Sequence, residues 1–539
     1  MPCTRVKGIA LWSTVLWTTK PFSERSNAME GFIQRHKTDV IGVLHGFDRL
    51  RFRGTLRSIS YGDGVERFLT ALGVRYENYG EFAGELSEKI KRHAVAMAQK
   101  AGVPYLYVAS SDQSKEAIAK RLIQERGIQD GLVCVLRCVE PCRTFSIRRD
   151  PASRRFRFVN EERKCLHLYF YYLDREFGLM HVRLATWLPF GIRVCLNGRE
   201  YLARRMQQAG IGFEQKDNCF TRITDLPRAQ AMCDELISRR WERLLRALAR
   251  RVNPVPAQCK LFDYYWSLGE SEYATDTMFK NEASLDALYP ALVHHAIKCL
   301  SSHDLLRYLG RRTHMRIFNG EVCTKVQERR EGTCIRHHVE ENSIKMYNKQ
   351  GSVLRVETTI NNPRRFKVRR STERKGVGGM RWIPMRFGLA DLERRVEVSR
   401  AANQRYLEAL SVVGTPAPAA ELLDRVARRQ IHHQRPYRAL QPVSPKEAEV
   451  FAAILDGRFL LRGFTNRDLR RRLKWPQTCD PQQLRRMSGR ATRLLRLLRA
   501  HGLIRKVSGT RYYRVTSRGQ LIMTTALRLR DTDVAKFAA

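Results

Sequence analysis

The chain has 539 residues, of which 98 are Lys or Arg and 54 Asp or Glu, giving a formal charge of +44. An excess of that size repels itself in a compact state unless a polyanion relieves it, so the expected partner is nucleic acid: DNA, RNA or both. A hydrophobic content of 43% supplies cores for several domains. No apolar run approaches the roughly 20 residues of a membrane span, so no membrane partner is expected.

Residues 1–28 carry little pattern and read as an N-terminal extension. The apolar stretch Ile9–Trp17 is too short for a signal sequence and lacks a small-residue cleavage site. Residues 29–250 read as a mixed α/β domain. A strand starts at Thr38, runs through Asp48 and reaches a turn at Arg53-Gly54. Helices follow near 63–73 and 81–101, then a short strand at Pro104–Ala109 and a helix from Ser110 to Gly127. A buried strand at Gly131–Leu136 precedes shorter ones at 144–149, 155–159, 166–173, 181–184 and 192–196. Asn197-Gly198 caps a helix through Gly210.

Residues 251–330 read as helical from the Asn253-Pro254-Val255-Pro256 break onward. Residues 331–412 read as a β-hairpin insert plus a helix. Its arms are Cys334–Val339 with Ser343–Tyr347, and Val353–Ile360; the helix lies near 389–411. Residues 413–445 read as a linker, on Gly414-Thr415-Pro416-Ala417-Pro418 and the prolines from Pro436 to Pro445. Residues 446–539 form the last unit. The fold class expected is α+β (mixed α/β), multidomain: an α/β body, a helical middle, a β-hairpin insert and a C-terminal module.

That module is the most legible segment. Phe464–Leu469 opens a short helix ending near Trp475-Pro476, and Pro481–Ala500 forms a longer one. Arg505–Thr516 alternates as a hairpin around Ser508-Gly509. Leu484, Leu494, Leu495, Leu497 and Leu498 are expected on the core side of the long helix. Arg486, Ser488, Arg490, Arg493 and Arg496 are expected outside, with Arg505, Lys506, Arg511 and Arg514 on the hairpin. From 461 to 518 there are seventeen Arg or Lys and two acids, a strong electrostatic footprint. In the order of elements, and in Leu498-Arg499-Ala500-His501-Gly502-Leu503-Ile504-Arg505-Lys506, this segment resembles the winged-helix domain of MarR-like regulators. The resemblance implies a DNA-binding helix-turn-helix whose second helix meets base edges. The full length is similar to a group of uncharacterised bacterial proteins that often carry that regulator label, and the charge, the winged helix and a large α/β body together suggest a mobile-element or genome-rearranging context. The cytoplasm of a prokaryote is the expected location, because thirteen cysteines with no dense framework read as reduced thiols. A homo-oligomer is left open.

Chemistry has four candidates. Gly46-Phe47-Asp48-Arg49 ends an apolar strand, and a carboxylate on a first strand, before a hairpin, resembles the start of RNase H-like nucleases and transposases. Such enzymes hold two divalent metals about 4 Å apart between several carboxylates. Glu357, ending Val353-Leu354-Arg355-Val356, is the expected second ligand, and Asp391 or Asp276 the third. Mg²⁺ is then the expected cofactor, held by Asp48 and Glu357. The competing account is that Asp48 caps a turn and Glu357 pairs with Arg355 or Lys345. Second, Ser343-Ile344-Lys345-Met346-Tyr347-Asn348-Lys349 is similar to a stretch of some rolling-circle replication initiators, implying Tyr347 as nucleophile. The adjacent His337-His338 departs from the spaced His pair that such chemistry uses, and the other reading is a basic ribbon contacting nucleic acid through Lys345 and Lys349. Third, Cys134, Cys138 and Cys142 read as buried thiols, and Cys323, Cys334 and His337 as a loose zinc set. Fourth, Tyr264-Tyr265-Trp266-Ser267 with Glu272-Tyr273-Ala274-Thr275-Asp276, an aromatic-acid cluster entering a helix, and the aromatic cluster Trp187–Phe190 read as core or as base-stacking surfaces. A non-catalytic winged-helix regulator or RNA-binding protein remains the alternative to an enzyme.

Overall fold

The strand carrying Asp48 lies in the middle of an eleven-stranded sheet. The computed structural model describes residues 30–109, 113–151, 154–298, 300, 302–309, 321–329, 332–374, 377–411, 413, 419–432, 434–456, 459, 463–476, 480–507 and 510–531. The extension 1–28, the Ser110-Ser111-Asp112 cap and Gly414–Pro418 fall outside these.

In chain order the N-terminal half holds α1 (Glu30–Arg35), β1 (Val40–Thr55), α2 (Gly62–Ala71), α3 (Tyr79–Lys100), β2 (Tyr105–Tyr107) and α4 (Lys115–Arg126). Then come β3 (Gly131–Arg149), β4 (Phe156–Asp174), β5 (Gly178–Ala185), β6 (Ile192–Asn197), α5 (Gly198–Gln208), β7 (Phe213–Lys216), β8 (Cys219–Ile223), α6 (Leu226–Glu235), α7 (Trp241–Val252) and α8 (Val255–Gln258). The second half holds β9 (Tyr265–Phe279), α9 (Glu282–Lys298), α10 (Ser302–Tyr308), β10 (Val322–Arg329), β11 (Gly332–Val339), β12 (Asn342–Lys349), β13 (Val353–Ile360), β14 (Lys367–Arg374), β15 (Val377–Pro384) and α11 (Leu392–Leu410).

The sheet order is β10-β11-β12-β13-β9-β1-β6-β5-β4-β3-β2. All neighbours are antiparallel except β2 and β3. The fold is therefore mixed α/β, and two expectations change. Tyr265–Phe279 is a strand, not part of a helical stretch, and so is Val322–Arg329. β9 is rich in aromatic and Thr residues, which favour strands. It is almost wholly buried on both faces, so it shows no two-residue alternation to reveal it. The arms β11, β12 and β13 are not a separate hairpin insert: β13 pairs with β9 along eight residues, joining them to the sheet. No hairpin follows Asp48 either, since β1 runs on to Thr55 and leads into a 3-10 turn.

One face of the sheet is mainly apolar. Phe47, Leu50, Phe52, Val182, Val194 and Tyr273 join the core beneath α2, α3 and α7. Ile344, Met346, Leu354, Val356 and Ile360 join the core of α9, α10 and α11. The opposite face is covered only in patches. α5, α6 and β7–β8 pack over Leu44, Met278 and Val353, and α4 packs over Leu136, Tyr169 and Tyr171. Between the patches the strands carry charge. The edge of β1 beyond its pairing with β6 is closed by Gln230 of α6, whose side-chain amide accepts from His45 N and donates to His45 O. A backbone edge is thereby satisfied without another strand.

The C-terminal module has its own core, with Phe451, Phe464, Leu469, Leu495, Leu498, Leu503 and Ile522 among its buried residues. Its elements are α12 (Ala419–Asp424), β16 (Gln430–His432), β17 (Arg435–Tyr437), α13 (Pro445–Ile454), α14 (Asn466–Arg472), α15 (Pro481–Ala500), β18 (Ile504–Lys506), β19 (Tyr513–Val515) and α16 (Ser517–Asp531). α14 opens with a capping box between Thr465 and Asp468, and Asp480 caps α15. The described part of the expected linker is not loose: Val426 and Leu440 are buried in this core. Leu484, expected on the core side, is 43% exposed. It sits in the first turn of α15, ahead of the stretch that packs.

Candidate carboxylate centre on the sheet

Four adjacent strands, β12, β13, β9 and β1, converge on the site. Register fixes which side chains meet, because directly opposed residues share a face. Lys345 opposes Glu357 and Tyr347 opposes Arg355 across β12 and β13. Arg355 opposes Asp276, and Glu357 opposes Ala274, across β13 and β9. Asp48 reaches the same face through a bulge. Phe47 opposes Tyr273 and Arg49 opposes Glu272, so Asp48 is the extra residue between them. Phe47 faces the apolar core, while Asp48 and Arg49 both turn to the charged face. Re-aiming a side chain is what a bulge does.

Asp48, Glu272 and Glu357 each place a carboxylate oxygen within 4.8 Å of the other two. Among the described residues this is the one such group of His, Cys, Asp and Glu. The sequence reading supplies two of the three. The third is Glu272, which that reading leaves in an aromatic-acid cluster at a helix entry; its strand neighbour Asp276 is named in its place. Asp276 sits beside the group but is taken by cations. Arg355 donates to it twice, from Nε at 2.6 Å and Nη2 at 2.8 Å, and Arg199 Nη2 lies at 3.0 Å. Burial opposes the charge of Asp276, but the two guanidiniums outweigh it and hold the carboxyl below its ordinary range. Asp391 is elsewhere, at the start of α11. It accepts from Arg386 N at 2.8 Å and is paired with Arg394 and Arg370.

The cations around the group are set by the same strands. Lys345 Nζ lies 2.5 Å from Glu357 Oε1 and 3.4 Å from Glu272 Oε1. Arg355 Nη1 lies 3.2 Å from Asp48 Oδ1, and Asn218 donates to the same oxygen. Arg49 Nε approaches Glu272 Oε2 at 3.8 Å from the solvent side. The competing sequence account is thus met in part: Glu357 does pair with Lys345. Yet the balance is incomplete at Glu357. Burial first, and then Glu272 and Asp48, push its carboxyl up in spite of Lys345. The carboxylates conversely outweigh burial at Lys345 and raise its ammonium. The rise at Glu357 is thus led by burial, and that at Lys345 by its two carboxylate neighbours.

Three carboxylate oxygens are a hard donor set of the kind that holds Mg²⁺ or Mn²⁺. Their spacing fits a divalent cation, which would be held by Asp48, Glu272 and Glu357.

Tyr347 faces the same group. Its hydroxyl donates to Glu357 Oε2 at 3.1 Å, and burial together with that carboxylate raises its pKa well above the ordinary range. A phenol so held keeps its proton, which disfavours it as a nucleophile. Lys345 and Lys349, expected on an exposed basic ribbon, are only 5% and 7% exposed because β12 is an interior strand. They are corrected to interior positions. His337 points to the opposite face, where Nδ1 meets Thr324 Oγ1 at 2.8 Å and Nε2 meets Tyr406 OH at 2.9 Å. With both ring nitrogens occupied it forms no zinc set with Cys323 and Cys334. Cys134, Cys138 and Cys142 are buried free thiols.

Behind the centre, α11 braces the strands. Asn403 accepts from Thr358 Oγ1 at 2.6 Å and donates to Tyr273 O at 3.0 Å, tying β13 to β9 directly beneath Glu357 and Glu272.

In the C-terminal module, Arg486, Arg490, Arg493, Arg505, Lys506, Arg511 and Arg514 are exposed. Ser488 is half-buried, and its carbonyl accepts from Asn466 at 2.9 Å. Arg490 stacks 4.8 Å from the Trp475 ring centre. Among the described residues no helix is long and apolar enough to cross a membrane. Compared with protein-family models, with curated proteins and with solved structures, the chain matches none.

Proposed function

We propose that this chain is a nucleic-acid-processing protein of the nuclease or transposase type. In this reading Asp48, Glu272 and Glu357 hold a divalent cation, Mg²⁺ or Mn²⁺, and a C-terminal winged-helix module docks on duplex DNA. The observation that carries the reading is the convergence of three carboxylates from three strands in a protein of charge +44. A cation bound there supplies charge neutralisation and Lewis acidity at a phosphate. The protein's own groups do the rest. Lys345 offsets negative charge beside the carboxylates. Arg355 and Asn218 fix Asp48, and Tyr347 orients Glu357. Glu357 is the carboxylate that Lys345 neutralises in the absence of a cation.

The exposed arginines of α15 and of the β18–β19 hairpin are the residues we assign to the duplex. Helix-turn-helix modules place their second helix in the major groove, with phosphate contacts around it.

The test is Mg²⁺-dependent cutting of supercoiled and linear DNA by the full chain. Asp48→Asn, Glu272→Gln and Glu357→Gln each reduce cutting by at least about a hundredfold, the scale expected for catalytic electrostatic groups, while duplex binding persists. Undiminished cutting in any two of them would remove the centre from the mechanism. A second reading has its own observation: Lys345 and Arg355 already pair with the carboxylates, as a purely structural ion network would. It predicts a DNA-binding protein that cuts nothing and shows no Mn²⁺ binding.

A further inference from the structure

The geometry points to an unpaired nucleic-acid strand as the ligand of β1, laid from the carboxylate centre outward to Tyr265. This rests on the nucleic-acid reading above and names its substrate class.

Past the bulge, β1 presents Arg49, Arg51 and Arg53 to the charged face. They oppose Glu272, Glu270 and Ser267 of β9, and the line ends where Thr55 opposes Tyr265. Alternate residues of a strand stand about 6.6 Å apart, a step close to the interval between phosphates of an extended single strand. The next strands widen the row: Arg53 opposes Arg193 of β6, which opposes Arg183 of β5. Carboxylates answer part of it. Glu272 meets Arg49, Glu270 meets Arg51 at 2.7 Å, and Glu140 meets Arg183 at 2.6 Å. Arg53 and Arg193 are exposed beyond them. Like charges crowded on one face are relieved by an anion.

The far end carries a stacking surface. Tyr265 is 41% exposed, and the Arg57 guanidinium lies 3.4 Å from its ring centre. An aromatic ring backed by a cation at the end of a cationic row is the arrangement that binds unpaired strands, where bases stack on rings and phosphates follow the charge. A duplex keeps its base faces inside the stack and offers none to Tyr265. The row also leads to the centre itself, since Arg49 contacts Glu272.

The experiment is fluorescence anisotropy of a labelled oligothymidine on the full chain without divalent metal, with unlabelled blunt duplex as competitor. Tyr265→Ala and the pair Arg53→Glu, Arg193→Glu are expected to weaken the oligonucleotide roughly tenfold. Duplex affinity is unchanged, which also reports intact folding, and duplex does not displace the oligonucleotide from the wild type. Unchanged oligonucleotide affinity in both variants overturns the track, as does loss of oligonucleotide binding in Arg490→Ala with retention in Tyr265→Ala. A chain that binds neither probe sinks the nucleic-acid reading as well. A chain that binds the oligonucleotide through Tyr265 but cuts nothing leaves the track standing and removes only the cleavage.

Discussion

Lys345 Nζ stands 2.5 Å from Glu357 Oε1 on the adjacent strand, closer than any other cation described around the centre. It is the protein's own counter-charge for a group that burial and two neighbouring acids push towards protonation. Lys345→Met should therefore destabilise the metal-free protein by roughly 3–5 kcal/mol, the cost of leaving a buried ion uncompensated. Added Mn²⁺ should restore more stability to this variant than to the wild type. Thermal melts with and without Mn²⁺ decide it; equal shifts in the two proteins would place the cation elsewhere.

Acidification should separate binding from folding. The Glu357 carboxyl lies above its ordinary value, so it takes up its proton at higher pH than an exposed glutamate and gives up a cation there. Asp276 moves the other way. Its pairing contributes stability above the unfolded aspartate value and is lost only as pH falls through the depressed folded one. Mn²⁺ affinity should therefore fall on acidification while circular dichroism is still native. Simultaneous loss of both signals would contradict the assignment.

Gly198 reaches the centre without carrying any charge. A Cβ there would meet the Phe47 carbonyl oxygen at 2.1 Å, next to the bulge that aims Asp48. Gly198→Ala should lower Mn²⁺ affinity and cutting at least about tenfold by displacing Asp48, on the scale of losing a metal ligand's support. Titration of both proteins with Mn²⁺ is the check.

The C-terminal module offers a paired contrast. Leu498 is buried, and Leu498→Ala should cost about 2–5 kcal/mol of module stability. Leu484→Ala, on the exposed first turn, should change it by less than about 0.5 kcal/mol. Limited proteolysis of the two variants reads the difference.

Arg490→Ala and Arg514→Ala should weaken duplex binding. Each should lower the slope of log affinity against log salt by about one for a lost phosphate contact. An unchanged slope would take that residue off the duplex.

What the sequence reveals depends on how local each signal is. The helices and hairpin of the C-terminal module declare themselves through spacing and caps within a few residues. Asp48 and Glu357 are legible because each closes a short apolar run. Glu272 is not, since β9 is buried on both faces and its flanking aromatics imitate a core helix. The order of the sheet is hidden for another reason: β1 and β9 pair across more than two hundred residues, and no local period records such a pairing. The ribbon β14–β15 is missed because its first arm, Lys367-Val368-Arg369-Arg370-Ser371-Thr372-Glu373-Arg374, is too polar to read as a strand.

The bulge at Asp48 also sets how β1 tolerates changes of length. Two of its residues, Asp48 and Arg49, share the place opposite Glu272. Removing Arg49 would leave the stretch of β1 around the site unbulged, with Phe47 and Leu50 still in the core and Asp48 still facing the carboxylates. Removing one residue between Leu50 and Thr55 would instead turn every later side chain of that stretch to the opposite face. Position 49 is therefore a place where this strand can lose a residue and keep its two faces.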